Sequence, residues 1–161
     1  MKKSDKENPL AAALRLLYYR ERSVAAMKDK LGDKGFSDDE ITSVVEILIG
    51  DGLLNDRRFA AELSASRIRN KNWGPRKIAL DLRRKGISAE ITESVLTEIT
   101  EETFTITATR ALKKWVEQKG LDKGLDERNF ARAYRHLESR GFARGLILKL
   151  IYPLREENII E

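Results

Sequence analysis

The chain has no cysteine and a single histidine among its 161 residues. Without cysteine there is neither a disulfide framework nor a thiolate metal site. That absence is compatible with a reducing compartment, and a cytoplasmic location is expected. No grouping of His, Asp and Glu has metal-ligand spacing, and no Gly-rich phosphate loop follows a strand, because the chain offers no convincing strands. No metal and no other cofactor is therefore expected. His136, between Arg135 and Leu137, reads as a packing or surface residue rather than a general base, so no catalytic residue is assigned. No apolar run approaches the ~20 residues that a membrane span needs. Met1–Pro9 has no apolar segment of signal-peptide type behind it and is expected to be a solvated, mobile tail.

What is present is charge and helical periodicity. Charged residues make up 35% of the chain and apolar residues 41%. That balance suits an elongated helical protein with much surface better than a compact sphere. The length allows one domain or a few small units sharing a core.

The chain also repeats itself. Met27-Lys28-Asp29-Lys30-Leu31 runs to Gly35-Phe36-Ser37, Ile78-Ala79-Leu80-Asp81-Leu82 to Gly86-Ile87-Ser88, and Ala133-Tyr134-Arg135-His136-Leu137 to Gly141-Phe142-Ala143. In each copy two apolar residues four apart share a helix face. A glycine then ends the helix as its left-handed residue, and an apolar residue packs back on the last turn. Ser37 and Ser88 cap the next helix, Ser37 with Glu40 in a capping box. That helix places Ile41, Val44, Val45 and Leu48 on one buried stripe. Gly50 and Gly52 stop it. Each unit needs a leading helix, expected at about residues 10–20, 57–70 and 102–118, the last burying Phe104, Ala108, Ala111, Leu112 and Trp115. Thr103–Thr107 alternates with period two, yet no second strand signal could pair with it, so it is assigned to helix. Residues 119–126 read as a loop, and Pro153 ends the final helix. The expected plan is a tail over 1–9, repeats over 10–55, 56–100 and 101–155, and a second tail over 156–161.

Charge is not spread evenly over this plan. From Arg57 to Lys85 there are ten Lys or Arg and two acids, a local +8, whereas the whole chain carries +5 and the remainder therefore −3. The pI near 9.4 thus reflects one region. A localised basic face suits a polyanion or an acidic protein surface. The helix opened by Gly74-Pro75 places Ile78, Ala79 and Leu82 on one face. Arg76, Lys77, Arg83 and Arg84 share the opposite arc, with Leu80 among them as a contact residue or a joint filler. Asp81 and Lys85 are expected to pair at i, i+4. Arg57, Arg58, Arg67, Arg69, Lys71, Arg76, Lys77, Arg83, Arg84 and Lys85 form the candidate binding set. Arginine predominates, and its planar fork suits phosphates and carboxylates. Trp73 is expected to staple its loop to the next helix, with base stacking as the alternative. Asn55 or Asp56 is expected to cap the helix that carries Phe59 and Leu63.

Gly52-Leu53-Leu54-Asn55-Asp56-Arg57-Arg58-Phe59-Ala60, then Gly74-Pro75-Arg76-Lys77-Ile78, then Leu82-Arg83-Arg84-Lys85-Gly86-Ile87-Ser88 resemble the central signature of the bacterial RecX regulatory proteins. Arg20-Glu21-Arg22-Ser23 and Lys34-Gly35-Phe36-Ser37 resemble that family's first repeat. Departures are Asn55, where an acid is usual, and Ala143 in place of a serine in the third repeat. The resemblance implies an all-α fold of three tandem three-helix repeats in an elongated, curved array. It implies a non-enzymatic negative regulator of the recombinase RecA. Such a protein lies in the groove of the RecA filament on single-stranded DNA and inhibits its recombinase, ATPase and coprotease activities. The expected partners are then the RecA filament and, by direct contact, single-stranded DNA, with the protein itself a monomer. The alternative is a helical protein that binds DNA directly without RecA. A hydrolase or nuclease lacks ligands in this sequence.

Overall fold

A computed structural model describes residues 7–155. Among them run nine α-helices: α1 Pro9–Tyr19, α2 Val24–Asp33, α3 Asp38–Gly50, α4 Asp56–Lys71, α5 Pro75–Arg84, α6 Ala89–Glu98, α7 Glu101–Lys119, α8 Glu127–Ser139 and α9 Arg144–Ile151. A 3-10 turn, Tyr152–Leu154, follows, so Pro153 closes the last helix as expected. No strand forms among the described residues; one isolated bridge joins Leu125 to Arg155. Thr103–Thr107 is helical, within α7. Residues 1–6 of the first expected tail and the whole of the second, 156–161, lie outside the described residues. Asn8 and Pro9, expected in the first tail, instead start α1: Pro9 opens the helix and the Asn8 side chain accepts from the Leu10 amide at 2.8 Å.

The repeat shows in the backbone as well as in the sequence. Met27, Ile78 and Ala133 are fully buried, and so are Leu31, Leu82 and Leu137. Each helix ends in the same hydrogen-bond pair. The amides of Gly35, Gly86 and Gly141 donate to Gly32, Arg83 and Glu138, and those of Phe36, Ile87 and Phe142 donate to Leu31, Leu82 and Leu137. This is the Schellman ending, and it requires the left-handed backbone found at all three glycines (φ 85, 78 and 89°). The apolar residue that follows is buried each time.

Contacts sort the chain into two compact units. One is Met1–Glu62 with Leu82–Thr92, the other Leu63–Asp81 with Glu93–Glu161. In the first, Ala12 and Ala13 of α1 pack on Met27, Leu31, Phe36, Ile41, Val44, Val45, Leu48 and Leu54. In the second, Phe104, Ala108, Ala111, Leu112 and Trp115 of α7 are buried, as are Ala133, Leu137, Phe142, Ile147 and Ile151.

Within each unit a glycine turn docks on the start of an earlier helix. In the first unit the Ser23 hydroxyl, which caps α2, donates to the Lys85 carbonyl at 2.6 Å. A Cβ added at Gly86 would lie 2.3 Å from Cβ of Ala25. In the second, the Gly74 amide donates to the Arg140 carbonyl at 2.7 Å, and the Arg76 amide to the Gly141 carbonyl at 3.1 Å. A Cβ at Gly141 would lie 2.3 Å from the Lys77 nitrogen. Ser23 and Gly74 are equivalent positions of successive repeats, and so are Lys85 and Arg140. One docking rule is therefore used twice. Gly35, in the first repeat, has nothing within 4 Å of an added Cβ.

Candidate functional site

The basic region lies on α4, α5 and the turn between them. Helix α4 is opened by Asn55, whose side chain accepts from the Arg58 amide at 2.9 Å. Asp56 does something else: its carboxylate accepts from the Val24 amide at 2.8 Å, placing negative charge at the positive end of α2. Pro75 opens α5, where a missing N–H is no loss.

The ten candidate cations divide by what they touch. Three serve the fold. Arg58 is half-buried; it donates to the Gly52 carbonyl at 2.8 Å and pairs with Glu21 at 3.1 Å. Arg67 pairs with Asp81 at 2.6 Å, with both side chains largely shielded. This corrects the expected Asp81–Lys85 pair: the carboxylate turns toward α4, where the partner is better shielded from water, rather than along its own helix. Lys77 places its ammonium over the Trp73 ring, 4.6 Å from the centroid, and the Arg67 guanidinium lies 5.2 Å from the same ring. Trp73 is thus half-buried between two cations of its own chain, the stapling role expected of it.

The others point outward. Arg57, Arg69, Lys71, Arg76, Arg83, Arg84 and Lys85 are exposed. Arg69, Lys71, Arg76, Arg83, Arg84 and Lys85 enter no ion pair among the described residues. Leu80, on α5 between these cations, is 53% exposed, which does not fit the joint-filler reading.

Two arginines outside the predicted set hold this region in place. Arg110 donates from Nε to the Asn72 side chain at 2.6 Å and from Nη2 to the Ile68 carbonyl at 3.1 Å. Arg140 donates to the Lys71 carbonyl and to His136 Nε2, the latter at 3.2 Å. Both bring positive charge to the carbonyl end of α4. They let Asn72 hold a left-handed backbone (φ 53°) that reverses the chain toward α5. Neither was legible in sequence, since the contacts span 38 to 69 residues.

His136 is half-buried and stacked on Trp115 with centroids 5.9 Å apart. Burial first, then the Arg140 charge, hold its pKa below the ordinary value, against a raising hydrogen bond with the Ala111 backbone. It is a packing residue. Among the described residues no three His, Cys, Asp or Glu side chains converge as a metal site would require, and no helix is long and apolar enough to cross a membrane.

A family model for the first three-helix domain of RecX matches residues 10–48, and one for the second three-helix domain matches residues 55–96. The regulatory protein RecX of Trichlorobacter lovleyi is 35% identical over 142 residues, which cover 86% of this chain and 90% of the relative. That of Prosthecochloris aestuarii is 34% identical, covering 88% and 90%. The crystal structure of RecX from Lactobacillus salivarius superposes with a TM-score of 0.81 at 26% identity, covering 93% of this chain and 96% of the other.

Proposed function

This chain belongs to the RecX family of regulatory proteins, and from that premise we propose that it is a non-enzymatic negative regulator of the recombinase RecA, binding the groove of the RecA filament on single-stranded DNA. The observation that carries the reading is α5: Arg76, Arg83 and Arg84 are exposed without an ion pair among the described residues, and Leu80 stands exposed with them. Unpaired guanidinium groups with an apolar contact suit a partner that offers carboxylates or phosphates beside apolar surface. Arg69, Lys71 and Lys85 extend the set. Arg57 is exposed at the start of α4, whereas Arg58, Arg67 and Lys77 act by holding the elements that carry the set.

A filament repeats its surface, so tandem helical units can engage neighbouring protomers together. Binding then becomes avid and filament-dependent. Loss of recombinase, ATPase and coprotease activity follows if the protein binds one filament state better than another, since only differential affinity shifts an equilibrium. The protein acts as a monomer in the cytoplasm on this reading.

The test is a charge reversal that spares the structural cations: Arg76→Glu, Arg83→Glu and Arg84→Glu together, with folding checked by circular dichroism. RecA ATPase on single-stranded DNA is measured against regulator concentration. Each lost charge pair is worth about 1 kcal/mol, so the variant should need at least about tenfold more protein for half-inhibition. Undiminished inhibition would sink the assignment.

A further inference from the structure

Two aromatic rings in the first unit are not used by its core. Tyr18 is 86% exposed and Tyr19 75%, although they are adjacent at the end of α1. The inward stripe of that helix is already supplied by Ala12, Ala13, Leu16 and Leu17. The two rings meet each other edge to face, centroids 5.8 Å apart and planes at 80°. Such a corner leaves a ring face open to a flat partner.

The charges beside the rings are unbalanced. Glu21 is the one acid between Tyr18 and Ser23, and Arg58 engages it at 3.1 Å. Arg20 is exposed and Arg22 half-buried, its Nε donating to the Leu16 carbonyl at 3.4 Å. Burial, and then the like charge of Arg20, hold the Arg22 guanidinium below its ordinary pKa. Two cations thus flank a single carboxylate, which Arg58 already engages. The Ser23–Lys85 hydrogen bond brings the exposed Lys85 to the same turn.

We propose that Tyr18, Tyr19, Arg20, Arg22 and Lys85 form a site for single-stranded nucleic acid, a tyrosine ring stacking on an unpaired base and the cations taking the flanking phosphates. Base faces are free only in a single strand, and stacking on them is indifferent to sequence. An acidic peptide fits less well: cations alone would serve it, and the negative ring faces disfavour carboxylates. The site deepens the proposed function by adding a direct contact with the strand that RecA coats.

The test contains no RecA, so its failure and that of the regulatory reading are separable. Fluorescence anisotropy follows a labelled oligodeoxythymidylate and, separately, a duplex, titrated with the full chain. Y18A/Y19A should weaken oligodeoxythymidylate binding about tenfold, the loss of one base–aromatic stack, and leave the salt slope unchanged. Y18F/Y19F should bind within about twofold of the unaltered chain, because the ring face is kept. R20A should lower the log–log salt slope by about 0.7, one phosphate contact. The proposal is overturned if the unaltered chain does not bind the oligonucleotide, or if folded Y18A/Y19A binds it as tightly. It is equally overturned if that variant loses single-strand and duplex affinity alike.

Discussion

At the residue scale, single positions test whether the repeats dock as described. Gly35, Gly86 and Gly141 share a left-handed backbone, but only the last two face a neighbour inside contact distance. Gly35→Ala should cost the left-handed penalty alone, about 1–2 kcal/mol. Gly86→Ala and Gly141→Ala should cost about 1–3 kcal/mol more, from overpacking against Ala25 and the Lys77 backbone. Urea midpoints at unchanged m-value measure the series, and equal losses at all three glycines would contradict the docking rule. Ala25→Gly should recover part of the Gly86→Ala loss, since it removes the atom in the way. His136 supplies a second test. Its folded pKa lies below the ordinary 6.5, so below that pH the unfolded chain binds more protons. Its contribution to stability is complete above about 6.5 and is lost as pH falls through the folded value. The melting temperature of the unaltered chain should therefore drop more steeply than that of His136→Gln as pH falls below 6.5.

At the element scale, α4 and α5 are one assembly: Arg67 reaches Asp81, and Trp73 in the connecting turn lies between Arg67 and Lys77. Arg67→Ala leaves a shielded carboxylate unpaired and uncovers the ring, and should destabilise by about 1–3 kcal/mol. Arg69→Ala, two residues on and exposed, should leave stability within about 0.5 kcal/mol and lower affinity for the filament. Chemical denaturation and filament binding of the two variants separate the roles; the opposite pattern would reverse the assignment. Sequence could not separate them, because Arg67 and Arg69 look alike until the position of Asp81 is known. What was legible was local: the Schellman glycines, the capping box at Ser37, the core stripe of α3 and the helical start of α7 all rest on neighbours within one or two turns. Arg110, Arg140 and the Asp56 carboxylate were missed because their partners lie 32 to 69 residues away. Tyr18 and Tyr19 were passed over because an apolar ring at a helix end reads as core until its exposure is known.

At the scale of the whole molecule, charge and repetition together make the functional claim. A net +5 carries a local +8 over residues 57–85, so attraction to an anionic partner is concentrated on α4 and α5. Filament affinity should therefore fall steeply as salt rises and the Debye length shrinks from about 10 Å at 0.1 M. The measurement that bears most directly on the central claim compares three partners at one salt concentration: bare RecA, bare single-stranded DNA and the assembled filament. If tandem units engage several protomers and the strand together, the filament should bind at least about a hundredfold more tightly than either component. Affinity for bare DNA equal to that for the filament would contradict the account and leave a DNA-binding protein that acts without RecA.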